Sequence, residues 1–177
     1  MEKIRALEQW YILRDKKRCF ILRLYIIRHA DPDYPNGTIT PDGHKEAAVL
    51  AERLAGSGVD VIYSSPLGRA IHTMEYTADL LKLPHEVLDW TQEISGMYKE
   101  LEGYGKFTPF NTPAEFILDQ EPLPSHDDWF GRPFFEEMQL KQRIDEIRAG
   151  SDALMKRHGY ERVGGRYRCI EPNDQKI

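Results

Sequence analysis

The chain has 177 residues, of which 41% are hydrophobic and 30% charged, and its formal net charge is −5. This composition is typical of one globular domain with a sizeable core, and it excludes a chain that is disordered throughout. The acidic balance and the scattered lysines and arginines argue against nucleic-acid binding, which needs a concentrated basic surface.

A membrane anchor and a disulfide framework are also disfavoured. Charged residues at 14–18 interrupt the only apolar stretch near the start, well short of the roughly 18 residues that a spanning helix needs. Cys19 and Cys169 are too few and too far apart to define a disulfide framework or a metal site. We therefore expect a cytoplasmic protein with no membrane or nucleic-acid partner.

The first predicted element of the domain is a buried strand. Residues 1–19 are predicted to be an N-terminal extension, and the domain is predicted to occupy 20–177. The apolar run over 20–27 indicates a parallel strand, and Arg28 and His29 follow it directly. This strand end would present a cation and a nitrogen nucleophile where open α/β sheets bind ligands, which indicates phosphate chemistry.

Helices and strands then alternate. Thr40 is predicted to cap a helix that begins at Pro41 and ends at Gly56, because the hydroxyl, the proline and the glycine suit those positions. A strand over 59–63, a helix over 67–82 and a third strand over 86–88 follow. This order predicts an α/β fold with a doubly wound, mainly parallel sheet and flanking helices.

The second half of the chain begins irregularly. Residues 94–132 are rich in Gly, Pro and aromatic residues and are predicted to form a cap-like insert, with a helical turn after Thr112 and Pro113. One long helix is predicted from Pro133 to just before Gly159, then a hairpin over 162–167. Residues 175–177 resemble the first step of a further strand.

Four segments of the chain belong together as a pattern. In chain order they are Leu24-Tyr25-Ile26-Ile27-Arg28-His29-Ala30, Thr40-Pro41-Asp42-Gly43, Tyr63-Ser64-Ser65-Pro66-Leu67-Gly68-Arg69-Ala70 and Glu93. With these four segments in this order, the sequence resembles the histidine phosphatase superfamily, which includes the cofactor-dependent phosphoglycerate mutases. The resemblance implies a phosphoglycerate mutase-like fold with 94–132 as the cap.

The resemblance also implies a role for each site residue. His29 would take up the phosphoryl group as a phosphohistidine, Arg28 and Arg69 would hold the phosphate oxygens, and Glu93 would protonate the departing alcohol. No metal or other cofactor is expected, because the arginines supply the positive charge. The expected substrate is a phosphorylated small molecule or a phosphoprotein.

Two departures from the family pattern leave alternatives open. The loop Asp31-Pro32-Asp33 lacks the pattern typical of the mutases, which favours phosphomonoester hydrolysis over mutase-like phosphoryl transfer. The family also places a second histidine, usually followed by glycine, at the end of a later central strand. Here His158 and Gly159 have those letters but end a predicted helix, and the strand would instead begin near residue 176.

The sequence therefore predicts a histidine phosphatase domain that is incomplete at its C-terminus. A noncatalytic phosphate-ligand or protein-binding remnant is the alternative from a different class. A parallel sheet without a central strand exposes unpaired edges and apolar faces, so a homo-oligomer is among the expected states.

Overall fold

The structure is a computed structural model that describes residues 21–136 and 138–177, so the predicted extension 1–19 lies outside the described residues. The strands are β1 (Pro32–Asp33), β2 (Thr38–Ile39), β3 (Ile62–Ser64), β4 (His85–Val87), β5 (Lys99–Leu101), β6 (Gly105–Phe107), β7 (Tyr160–Val163) and β8 (Arg166–Cys169). The α-helices are α1 (Pro41–Ala55), α2 (Gly68–Leu81), α3 (Glu115–Leu118), α4 (Pro133–Glu136) and α5 (Leu140–Arg157). Short 3-10 helices span Asp89–Thr91 and Trp129–Gly131.

Helix α1 begins and ends where the sequence predicts. The Thr40 hydroxyl accepts a hydrogen bond from the Gly43 N–H over 3.0 Å, Pro41 is the first helical residue, and Gly56 is the C-cap. A side chain at Gly43 would place its Cβ 2.5 Å from the Asp31 carbonyl oxygen. The glycine is therefore needed because the loop after His29 crosses the start of the helix at that point.

The next βαβ unit is also close to its prediction. Strands β3 and β4 pair in parallel, and α2 connects them and packs against α1. Helix α2 ends at Leu81, and its C-cap Lys82 has a left-handed φ of 55° two residues before Pro84. The buried side of α2 carries Thr73, Met74, Thr77 and Ala78.

The doubly wound, mainly parallel sheet is not seen in the described residues. The named strands form four two-stranded sheets, of which β3–β4 alone is parallel. The strand predicted over 20–27 is wrong in its described part, where an isolated parallel bridge joins Arg23 to Lys176. Residues 175–177 pair with 23–25 on one side and with Asp60 on the other, and none of the described backbone hydrogen bonds extends the ladder to Ile26 and Ile27. What the structure shows is a smaller α/β arrangement.

The predicted insert contains the β5–β6 hairpin and, in α3, the expected helical turn. Phe107 and Phe130 of this region form a core cluster with Phe135, Met138 and Leu140. The single long helix predicted from Pro133 is wrong. Residues two positions apart point to different sides of a continuous helix, so Met138 and Leu140 would not both face one cluster. The helix instead breaks between α4 and α5, where Gln139 has a φ of 53°.

The last elements pack onto α5. Gly150 lies where a Cβ would be 2.2 Å from Cγ of Trp90, so the helix approaches the indole closely. The predicted hairpin is confirmed as β7–β8, with Gly164 and Gly165 at its turn. None of the described helices combines the length and apolar character needed to cross a membrane.

Candidate active site

His29 lies at the end of the extended segment that follows Arg23. Its Nδ1 is 2.7 Å from the Ala30 carbonyl oxygen. A carbonyl only accepts hydrogen bonds, so Nδ1 must carry the proton and, in the neutral ring, Nε2 keeps its lone pair. The local backbone thus selects the tautomer in which Nε2 is the nucleophilic atom.

A buried hydroxyl connects this segment to α2. The Ala30 N–H donates to Oγ1 of Thr73 over 3.0 Å, and the Thr73 hydroxyl donates to the Arg69 carbonyl over 2.7 Å. Thr73 is only 5% exposed. The residue after His29 and the first turn of α2, which carries Arg69, are therefore held together by one side chain.

Arg69 and Glu93 are in direct contact. A terminal guanidinium nitrogen of Arg69 donates to Oε2 of Glu93 over 2.5 Å, and the two side chains are 16% and 68% exposed. Arg69 follows β3 and Glu93 follows β4, and the carboxyl ends of parallel strands meet at one edge. The fold thus brings this predicted pair together.

The Arg69 side chain retains an unused donor. Its Nε is buried and has no hydrogen-bond partner among the described residues. Its guanidinium carbon lies 5.3 Å from the ring centroid of Tyr34, in the loop between β1 and β2. A planar fork with an unpartnered donor is suited to an anion with several oxygens, such as phosphate.

Arg28 is exposed and forms no hydrogen bond or ion pair with any described side chain. Together with His29 it lines a cleft whose other wall includes Ser64 and Ser65, at the carboxyl end of β3. The four predicted site residues therefore follow three extended segments of the chain. Two of them, Arg69 and Glu93, touch each other, and the other two line the cleft.

Sequence reasoning missed two residues at this site. Thr73 occurs four positions after Arg69, on the same face of α2, and that spacing was the available signal. Tyr34 gave no signal, because its position over the guanidinium depends on the path of the β1–β2 loop. Among the described residues, no group of three or more His, Cys, Asp or Glu side chains is placed to hold a metal ion.

His158 connects α5 to two other segments. Its Nε2 is 2.9 Å from the Tyr63 hydroxyl, and its Nδ1 is 2.8 Å from the side-chain oxygen of Gln175. Burial raises the pKa of Tyr63, opposed by the nearby Arg157 cation. As the sequence indicates, His158 follows a helix and not a strand, and both its ring nitrogens have partners.

Comparison with known proteins gives consistent matches. The family model of the histidine phosphatase superfamily (branch 1) matches residues 24–116, more than half of the chain. A protein from Hydrogenobacter thermophilus named "Putative phosphoserine phosphatase 2" is 29% identical over 120 residues, which cover 59% of this chain and 58% of the relative. The chain thus spans just over half the length of that relative.

Two solved structures are similar over part of their length. The phosphoserine phosphatase of Entamoeba histolytica, in complex with 3-phosphoglyceric acid, has a TM-score of 0.40 and 24% identity, with 59% of this chain and 56% of that chain covered. A mycobacterial glucosyl-3-phosphoglycerate phosphatase has a TM-score of 0.34 and 22% identity, with 48% and 40% covered. On the extent of the family match, the chain belongs to the histidine phosphatase superfamily.

Proposed function

We propose that the chain hydrolyses phosphomonoesters through a phosphohistidine at His29. The observation that carries the proposal is the hydrogen bond from Nδ1 of His29 to the Ala30 carbonyl, 2.7 Å long, because it leaves Nε2 with a free lone pair. The phosphate-binding partners are Arg69, with its unpartnered Nε, and Arg28, which has no described partner. Family membership supports the same assignment.

The first step transfers the phosphoryl group to the protein. The Nε2 lone pair of His29 forms a bond to phosphorus while the ester P–O bond breaks, and the electrons of that bond go to the departing alcohol oxygen. That oxygen takes a proton from Glu93. Water then attacks phosphorus, its proton goes to the Glu93 carboxylate, and the P–N bond electrons return to Nε2.

The ion pair between Arg69 and Glu93 puts the proposed acid beside the proposed phosphate-binding group. A terminal guanidinium nitrogen of Arg69 lies 2.5 Å from Oε2 of Glu93. A phosphate group that takes the Arg69 donors would remove this partner and bring negative charge close to the carboxylate. The departing alcohol oxygen would then lie next to Glu93, which is where this step needs its proton donor.

Phosphoserine is the first substrate to test, because the curated relative at 29% identity has the name of a phosphoserine phosphatase. The proposal leads to a labelling experiment. Phosphoserine with ³²P in the phosphoryl group should give a protein label that is stable to base and labile to acid. His29→Ala should abolish the label, whereas His126→Ala, at a histidine with an 87% exposed side chain, should retain it.

Label that persists in the His29→Ala variant would contradict the assigned nucleophile. If the folded wild-type chain binds phosphate but neither becomes labelled nor releases phosphate from phosphoserine, the noncatalytic alternative is supported instead. Isomerisation of 3-phosphoglycerate at a rate above its hydrolysis would support the mutase alternative.

Glu93→Gln tests the proton donor. An alcohol such as the serine hydroxyl needs a proton as it leaves, whereas nitrophenolate does not, so phosphoserine turnover should fall about 100-fold or more and p-nitrophenyl phosphate turnover by less than tenfold. Glu100→Gln, in the nearby strand β5, is the control and should change neither rate. Equal losses on both substrates would show that Glu93 does not act as the acid.

A further inference from the structure

The residues that lead into Glu93 form a short connection after β4. The chain turns through the 3-10 helix Asp89–Thr91 and reaches Glu93 after one more residue, Gln92. In the part of the chain that the structure describes, the Glu93 backbone forms no hydrogen bond, and the Glu93 carboxylate accepts one from Arg69. The position of the proposed acid is therefore set by how the residues on either side of it are held.

Arg143 of helix α5 holds this connection from a distant part of the chain. One terminal nitrogen of its guanidinium donates to the Gln92 carbonyl over 2.8 Å and to the Trp90 carbonyl over 3.1 Å. None of the described backbone N–H groups donates to either carbonyl. A single nitrogen of Arg143 thus joins both ends of the segment 90–92 to α5, and the next residue along the chain is Glu93.

The Arg143 guanidinium is itself well fixed. Its side chain is only 16% exposed, and its second terminal nitrogen donates to Oε2 of Glu146, three positions along the same helix, over 3.1 Å. Because the guanidinium group is planar and rigid, partners on both terminal nitrogens leave it little freedom to rotate. A site residue is placed more precisely by a support on a helix than by loop residues alone, and Arg143 gives the connection that kind of support.

We propose that Arg143 is a positioning residue for Glu93. It fixes the Gln92 carbonyl, and through that peptide it sets where the Glu93 carboxyl group lies relative to the departing alcohol oxygen. Proton transfer needs the two oxygens within about 2.6–3.2 Å of each other. A displacement of about 1 Å caused by a change away from the chemistry can cost about 100-fold in rate. The inference rests on the proposed role of Glu93 as the proton donor, and it adds how that donor is placed.

The effect of losing Arg143 should be confined to the proton-donor step. Ile94, on the other side of Glu93, packs against the core cluster that includes Leu140, so one side of Glu93 stays held. The side that is released is the one at Gln92, where rotation of the backbone would carry the carboxyl group away from the departing oxygen. His29 lies on a different segment, so phosphoryl transfer from a substrate that needs no proton donor should continue.

Arg143→Met tests the proposal, because methionine retains most of the apolar stem and removes the donors. Phosphoserine turnover should fall about tenfold or more, whereas p-nitrophenyl phosphate turnover should fall less than about threefold, because nitrophenolate leaves without a proton. In the Glu93→Gln background, the same substitution should lower phosphoserine turnover by less than about threefold, because the group that Arg143 positions is already lost.

Two further variants separate the carbonyl bonds from the charge. Glu146→Gln removes the ion pair of Arg143 and leaves both carbonyl bonds, so it should change neither rate by more than about twofold. Arg143→Lys keeps one nitrogen that can donate to both carbonyls, so its loss on phosphoserine should be smaller than that of Arg143→Met. If Arg143→Met does not fold, the comparisons of substrates and backgrounds are made with Arg143→Lys.

Equal losses on the two substrates, or an equal loss with and without Glu93, would overturn the proposal, because a general structural role predicts both. A Glu93→Gln variant without a substrate-selective loss would instead refute the proposed acid itself. Hydrogen exchange gives a readout without turnover, since the N–H groups of Thr91 and Gln92 bond within the connection. Their exchange should be faster in Arg143→Met and unchanged in Glu146→Gln, and unchanged exchange in both variants would show that Arg143 does not hold the connection.

Discussion

Replacing Thr73 by valine should separate His29 from the start of α2 without creating a cavity. Valine keeps nearly the same volume but removes the hydroxyl that accepts from the Ala30 N–H at 3.0 Å and donates to the Arg69 carbonyl at 2.7 Å. Ala30 is only 8% exposed, so water cannot easily replace the lost acceptor. Leaving a buried N–H without a partner costs about 1–3 kcal/mol.

The Arg69 carbonyl adds little to this cost, because it can also accept the ordinary hydrogen bond of the helix four residues later. We therefore expect the free energy of unfolding of Thr73→Val to fall by about 1–3 kcal/mol. Urea denaturation measures this as a lower midpoint with an unchanged slope. If the substitution also raises the activation free energy of phosphoserine hydrolysis by about 1.4 kcal/mol, kcat/KM for phosphoserine should fall tenfold.

Two further variants make the test specific. Thr77→Val lies one turn further along α2, is equally buried, and has no side-chain hydrogen bond among the described residues, so its unfolding free energy should change by less than about 1 kcal/mol. Thr73→Ser retains the hydroxyl and should restore most of kcat/KM. Equal effects of the two valine substitutions would refute the role assigned to the Thr73 hydroxyl.

Two other predictions concern packing and acid stability. A Cβ at Gly68 would lie 2.0 Å from the Gly37 carbonyl oxygen, so Gly68→Ala should destabilise the fold by about 1–3 kcal/mol in thermal denaturation. Gly56→Ala is the control, because a Cβ at Gly56 meets nothing within 4 Å and should not destabilise the fold. Equal melting temperatures of the two variants would contradict this prediction. Burial by itself would raise the pKa of Asp152, but the hydrogen bond from Tyr167 helps to lower it below its ordinary value. The Asp152 carboxylate therefore stabilises the fold fully above its unfolded pKa of about 3.9, and this stabilisation is lost as pH falls through the lower folded pKa. The stability difference between wild type and Asp152→Asn should therefore close in acid, and a difference that stays constant from pH 6 to below about 3 would show that the carboxylate charge is irrelevant.

Local chemistry made helix α1 and the β7–β8 hairpin predictable. The start of α1 depends on Thr40, Pro41 and Gly43, which are adjacent in sequence, and the β7–β8 turn depends on neighbouring glycines. These signals depend on the backbone conformation of a few neighbouring residues, so they do not depend on how distant segments pack. The order of the four family segments is likewise readable without a structure.

Contacts between distant segments were not predictable in this way. The break at Gln139 arises because Met138 and Leu140 both enter one core cluster, although α4 and α5 read as a continuous helical pattern. The expected strand over 20–27 has the right composition, but a parallel strand exists only where a neighbour pairs with it, and 175–177 pair with three residues.

The sequence by itself determined the family, the position of α1 and α2, and the candidates His29, Arg28, Arg69 and Glu93. Only the tertiary structure decided how these candidates are supported. The tautomer of His29 depends on where one carbonyl lies, and the Arg69–Glu93 contact depends on the parallel pairing of β3 and β4. Residue types specify what chemistry is available, but distances between residues far apart in sequence are set by packing.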